Sequence, residues 1–193
     1  MSPETTVSSR NVSGVEYPAV GTYTIDASHT ELGFAVRHMA VSKVRGRFST
    51  FEGTIEIAEQ PADSKASLTI EAGTVDTRDE TRDAHLRTND FFDVANHPTW
   101  TFVSTSIKPE GLTEFKVEGD LTIRGVTRQV TLDATLEGVV TDPYGNHRIG
   151  FSASTSINRD DFGVSFGAVM EAGGLVVAKK VDIQIELEAV LQA

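Results

Sequence analysis

Between Glu31 and Ile57 apolar and polar positions alternate with period two. Leu32, Phe34 and Val36 fall on one face of the first run, with Glu31, Ala35 and Arg37 on the other. In the second run Phe48 is followed by Phe51, Gly53, Ile55 and Ile57, a set of opposite parity. A change of parity inside one strand, read from Val44 to Ile57, predicts a β-bulge near Ser49 and Thr50. Bulges bend sheets, and strongly bent sheets tend to close. The period recurs in Thr22 to Asp26, Glu31 to Met39, Ser67 to Val75, Trp100 to Ile107, Phe115 to Ile123, Val130 to Glu137, Ile149 to Ile157 and Val181 to Leu191. One apolar and one polar face per strand is the pattern of antiparallel sheets wetted on one side. Strands of this number and length, joined mostly by short connections, predict an all-β fold, a single antiparallel barrel of about eight strands.

One segment reads as helical, roughly Arg78 to Asn89. Thr77 with Glu80 makes a capping box, and Asp83 with Arg87 an i,i+4 pair. With only Ala84 and Leu86 for an apolar stripe, this short helix lies on the surface, where it could cover an opening. Asp142 to Asn146 is a turn, and the glycine-interrupted stretch 159–179 is a long loop. Residues 1–20, broken by Pro3, Gly14 and Pro18, read as a mobile tail, which leaves 21–191 as one barrel domain.

Charge and composition narrow the function. With 17 basic against 28 acidic residues the net charge is −11, which repels phosphate backbones and anionic membrane surfaces, so nucleic acid is not an expected partner. The absence of cysteine removes disulfides, thiolate metal sites and a cysteine nucleophile. No run approaches the eighteen apolar residues of a membrane span, and the first twenty residues lack a secretory signal, so the expected location is cytoplasmic. Monomer and homodimer remain open.

Motifs for catalysis are weak. Gly163-Val164-Ser165-Phe166-Gly167 matches the nucleophile-elbow spacing, but an elbow joins an apolar strand to a helix, whereas Arg159-Asp160-Asp161 precedes it and all five histidines lie upstream. No histidine pair has metal-ligand spacing, and Asp83-x-His85 reads as a solvated helix face. His38 shares the parity of Leu32, Phe34 and Val36, which would place it inward at a strand end, either as a satisfied core group or against a ligand's polar end. Arg124 and Arg128 flank one turn, either facing solvent or presenting a fork of donors to a phosphate or hydroxyl head.

Several motifs in order carry a resemblance. Gly33-Phe34-x-Val36-x-His38-Met39 leads to Val44-x-Gly46-x-Phe48-x-x-Phe51-x-Gly53. Asp83-x-His85-Leu86, Asp90-Phe91-Phe92-Asp93 and Pro98-x-x-x-Phe102 follow, then Gly119-x-Leu121-Thr122-Ile123-x-Gly125-Val126-Thr127 and Asn158-Arg159-x-Asp161-Phe162-Gly163. Together, over residues 21 to 191, they resemble the YceI-like polyisoprenoid-binding family. The resemblance implies an extended, lipocalin-like barrel whose interior holds a long isoprenoid chain, a polyprenyl lipid or a quinone tail, for carriage or storage. It implies no catalysis, no metal and no cofactor beyond the bound lipid. Many members are secreted to the periplasm, from which this chain departs in lacking a signal peptide. Parity selects Phe34, Val36, Phe48, Ile55, Leu68, Trp100, Phe102, Phe115, Val117, Leu132 and Phe151 as lining residues and His38 as the group at the mouth, and Phe91 and Phe92, which follow the helix, are the expected caps. Two other readings stand beside it: a barrel enzyme acting on an apolar substrate with His38 in proton transfer, and a sealed barrel serving as a stress-response or interaction module.

Overall fold

The computed structural model describes residues 9–171 and 176–193. Its strands are β1 (Ser9–Val12), β2 (Val15–Pro18), β3 (Gly21–Ile25), β4 (Glu31–His38), β5 (Ser42–Phe48), β6 (Phe51–Ile57), β7 (Lys65–Glu71), β8 (Val75–Asp76), β9 (Thr99–Pro109), β10 (Glu114–Ile123), β11 (Val126–Thr141), β12 (His147–Asn158) and β13 (Val177–Leu191). The helix α1 spans Glu80–Arg87. Successive strands pair antiparallel, and β13 closes the ring by pairing both with β12 and with β3 and β4.

Three pairs of short strands are single strands with a kink. β3 and β4 both run along β13, β6 pairs with β3 while β5 pairs with β4, and β7 and β8 continue the pattern against β6 and β5. Counted this way, eight antiparallel strands close an up-and-down barrel among the described residues. The expected bulge at Ser49 and Thr50 is therefore a corner between two strands, with different neighbours on either side. Phe48 and Phe51 are both buried there, which is why the parity of the sequence changes.

Elsewhere, besides a register shift of β13 against β4 between Val177 and Val181, two bulges each insert a single residue. Opposite Glu118 and Gly119 the strand β9 carries the extra residue Thr105, and opposite Gly150 and Phe151 the strand β11 carries Glu137. Each moves the inward set by one position, so Ile107 and Val139 pack inside although simple alternation from Phe102 and Leu136 points them out.

The helix starts two residues later than expected, at Glu80, and is capped differently. Asp79 accepts from the Arg82 backbone N–H, while Thr77 donates Oγ1 to the buried Asp83 carboxylate at 2.5 Å. The Asp83–Arg87 pair is replaced by bonds from Arg87 to the carbonyls of Gly73 and Val75. The helix end of the barrel also holds the 159–166 segment, whereas β13 starts at Val177, four residues before the strand read from sequence. Residues 172–175 of the expected loop lie outside the described residues.

Part of the expected tail is ordered as a hairpin. β1 and β2 pair from Ser9↔Pro18 to Val12↔Val15, and the hairpin is tied to the barrel at the end opposite the helix. Arg10 donates to the carbonyls of Ala58 and Glu59 at 2.8 Å each, and the buried Tyr17 donates its hydroxyl to the Leu112 carbonyl. These long-range contacts, not the polar local sequence, order the segment. Residues 1–8 lie outside the described residues.

Candidate functional site

The barrel interior is not filled. Phe34, Leu68, Val117, Leu132, Phe151 and Ile185 all point inward yet remain only half-buried, because they border empty space and not other side chains. In a close-packed core such residues would be fully covered. The space forms two apolar lobes of about 150 and 180 Å³. Leu32, Leu68, Phe102, Leu132 and Ile185 line both, so they form the waist of one channel. Together the lobes reach the lower end of the ~300–1,000 Å³ range of small-molecule sites.

The lobe at the hairpin end is walled by Ile25, Ile55, Phe115, Val117 and Phe151, with Tyr17 and Pro18 of the hairpin across its mouth. The lobe at the helix end is walled by Phe34, Val36, Phe48, Trp100 and Ile183, and covered by Leu86 of α1, by Phe91 and Phe92, and by Phe162 and Val164. Two glycines make this width possible. Opposite Phe34, a Cβ on Gly46 would stand 2.3 Å from the Phe34 ring, and one on Gly119 would stand 2.4 Å from the ring of Phe102. The rings occupy the space a side chain would take, so these wall positions require glycine.

Aromatic rings organise the helix-end lobe. Trp100 packs edge-on against Phe48 and Phe92 with centroids 4.9 and 4.7 Å away. Over the top, Phe91, Phe166 and His85 form a triangle with centroids 5.1–5.2 Å apart, and His85 Nε2 lies 2.7 Å from Asp90.

The cover is tied down by two arginines. Arg124 donates to the carbonyls of Phe91 and Gly163, and so bridges the two halves of the cover. Arg159, only 6% exposed, donates Nε to Ala178, Nη1 to Val164 and Phe166, and Nη2 to Val177, all backbone carbonyls. Four of the five guanidinium donors are thus used, and no carboxylate pairs with it among the described residues. Burial pushes its pKa down, partly offset by the charge of Asp160, yet arginine starts high enough to stay charged. Arg159 also borders the lobe, as does Trp100, whose buried Nε1 has no acceptor among the described residues.

Parity therefore located most of the wall. Phe34, Val36, Phe48, Phe91, Phe92 and Trp100 line the helix-end lobe, Ile55, Phe115, Val117 and Phe151 the other, and Leu68, Phe102 and Leu132 the waist. His38 does not join them. It ends β4, paired with Ser42 and Val177, where the register against β13 shifts between Val177 and Val181; Val177 lines the helix-end lobe but His38 lines neither lobe. Sequence reasoning also missed Arg159, whose charge suggested a surface loop, and Tyr17, which sat in the expected tail.

The other candidates take structural roles. Arg128 donates to the Thr127 carbonyl, and Ser165 is exposed on a segment that leads into no helix. Asp26, His29 and Glu188 meet on the outer wall, but Arg148 lies 2.7 Å from Asp26, 2.8 Å from Asp142 and 3.3 Å from Glu188. Its guanidinium holds the Asp26 and Asp142 carboxyls well below the usual carboxylate range and fastens the 142–146 turn to the kink between β3 and β4. No helix among the described residues is long and apolar enough to cross a membrane.

Known proteins share this architecture. The family model of the YceI-like domain matches residues 23–189. Protein YceI of Escherichia coli O157:H7 is 39% identical over 173 residues, 88% of this chain and 87% of that protein. UPF0312 protein SAS2572 of Staphylococcus aureus is 35% identical over 168 residues, 86% and 95% of the respective chains. Among solved structures, Burkholderia cenocepacia BcnA superposes with a TM-score of 0.75 at 25% identity, covering 85% of this chain and 98% of that one. A polyisoprenoid binding domain from Saccharophagus degradans shares the fold at a TM-score of 0.67 and 17% identity, over 90% of this chain and all of that one. An eight-stranded barrel around an apolar channel, matched along nearly its whole length by these relatives, places the chain in the YceI-like domain family.

Proposed function

We propose that the protein binds a long-chain isoprenoid lipid, a polyprenyl chain or the tail of a quinone, inside the barrel and carries or stores it without chemical change. The observation that carries this reading is the two-lobed channel with an almost wholly apolar wall. Each methylene buried there contributes about 0.8 kcal/mol, so an extended chain needs little polar recognition. Leu32, Leu68, Phe102, Leu132 and Ile185 border both lobes, so a chain extended along the barrel would occupy the two in succession. The family and the polyisoprenoid-binding neighbour support the same class of ligand.

The few polar groups suit an acceptor. Trp100 Nε1 and the remaining Arg159 donor border the helix-end lobe, and a quinone carbonyl or a polyprenol oxygen lodged there would satisfy a donor that otherwise loses about 1–3 kcal/mol by burial. Binding without turnover is favoured because no carboxylate or imidazole lines either lobe among the described residues: the ionisable wall groups are the guanidiniums of Arg10 and Arg159 and the Tyr17 phenol, which donates to the Leu112 carbonyl.

Trp100 gives the test, being the one tryptophan in the chain. A long-tailed quinone added to the protein is expected to quench its fluorescence saturably, while a quinone without the tail leaves it nearly unchanged. Equal quenching by both, or none by the tailed compound, contradicts the reading.

A further inference from the structure

The turn between β4 and β5 carries a surface that the cavity does not explain. Val41 at its tip is 82% exposed and Met39 is 43% exposed. The Met39 backbone N–H donates to Val176, whose own N–H donates to Ala168, so the tip abuts the segment that carries Phe166 and Val169, 40% and 72% exposed. These four apolar side chains stand on one rim, at the end of the barrel where the helix-end lobe is covered. Met39 and Ala40 also hold left-handed φ angles of 50° and 57°, positions that asparagine or glycine would occupy at lower cost.

Around the tip the charge runs against the rest of the molecule. Arg37, Lys43, Arg45 and Arg47 are all exposed and stand in a stretch, 37–47, without one acidic residue, in a chain of net charge −11. Arg37 lies directly opposite Lys43 across the hairpin, a like-charge pairing that weakens a sheet unless an outside anion offsets it. Lys43 and Arg47 are paired with Asp182 and Asp76, while Arg37 and Arg45 have no carboxylate partner among the described residues. The nearby acid Asp182 is already shared by Lys43 and Lys180, and Asp160 is held by Lys179.

We propose that this tip docks on an anionic lipid bilayer, with Met39 and Val41 entering the interface and Arg37 and Arg45 meeting lipid phosphates. Exposed apolar side chains beside cations that lack a carboxylate partner, here Arg37 and Arg45, are what such a surface requires, since apolar burial and headgroup attraction add. A second copy of the chain fits less well, because a two-fold contact through this tip would set the basic strip against itself. The net charge argues against non-specific adhesion, but screening confines its influence to about 8 Å at physiological salt, so the local strip governs the tip. The proposal deepens the lipid-binding reading, since the lobe beneath this rim would load from the bilayer, but docking is testable without any cargo.

The test is flotation of the whole protein with vesicles of phosphatidylcholine alone and of phosphatidylcholine mixed with phosphatidylglycerol. The expected result is binding to the mixed vesicles only, falling as salt is raised. The double variant R37Q/R45Q is expected to bind about 25-fold more weakly, at about fivefold per basic residue. Val41→Asp also loses binding, and Tyr144→Asp, equally exposed at the opposite end, binds as the parent does. Unchanged thermal unfolding of each variant shows that the fold is intact. Equal binding to both vesicle types, no binding, an equal loss in Tyr144→Asp, or a dimer that Val41→Asp dissolves would each overturn the proposal. Retention of quinone quenching at Trp100 alongside failed docking would leave the interior reading standing and this one refuted.

Discussion

Replacing Leu132 by Trp is expected to shorten the lipid the protein can hold, with a loss of about a thousandfold in affinity for every isoprene unit expelled. Leu132 faces Val117 across the β10–β11 ladder and borders both lobes. An indole there fills the waist and leaves two separate pockets. Five carbons at about 0.8 kcal/mol each amount to roughly 4 kcal/mol of lost burial per unit, close to three decades in the dissociation constant. Overpacking an ordinary core costs about 1–3 kcal/mol, but this side chain enters empty space, so the variant should fold and unfold near the parent temperature. Affinities measured against chains of increasing length give the answer. The parent should gain with every unit until both lobes are full, and the variant should stop gaining once one lobe is occupied. An unchanged length profile would mean that the two lobes are not used as one channel.

Replacing Arg159 by Met should be the most destabilising change in the cover of the helix-end lobe. The guanidinium supplies donors to four backbone carbonyls, those of Val164, Phe166, Val177 and Ala178. Left buried without donors, such groups cost about 1–3 kcal/mol each, so the loss should be at least about 3 kcal/mol, or roughly 10 °C in Tm for a chain of this size. Arg159→Lys should recover only part of it, because an ammonium has three donors around one point and cannot span carbonyls held by a planar fork. Thermal unfolding measures the first effect. Dissociation of bound lipid measures the second, which should be faster in both variants as the 159–166 cover loosens. A shift of less than about 1 kcal/mol in Arg159→Met would show that the carbonyls find other donors.

The wall of the channel was legible because period two is a local signal. Phe34 shares its parity with Leu32 and Val36, and Trp100 shares its with Phe102; these and Phe48 each line the cavity. What escaped were features set by distant contacts. The Ser9–Pro18 hairpin looks like a polar tail until Arg10 reaches Ala58 and Glu59, 48 and 49 residues on, and Tyr17 reaches Leu112. The extra residues Thr105 and Glu137 cannot be seen without the partner strand, so alternation alone does not place Ile107 and Val139 inside. His38 has the parity of the wall, but nothing in its neighbours reveals the register shift of β13 between Val177 and Val181 beside which it sits. Arg159 shows the converse: a charged residue in a glycine-rich stretch reads as surface, while here it is buried because backbone carbonyls surround it.

The central claim is that an isoprenoid chain occupies the channel. Protein purified from the organism that makes it, introduced gently into a native mass spectrometer and then extracted with solvent, tests this most directly. The account predicts an added mass that solvent releases as a lipid built of five-carbon repeats. Protein that carries no lipid-sized mass, or only straight-chain acyl lipids, would contradict it.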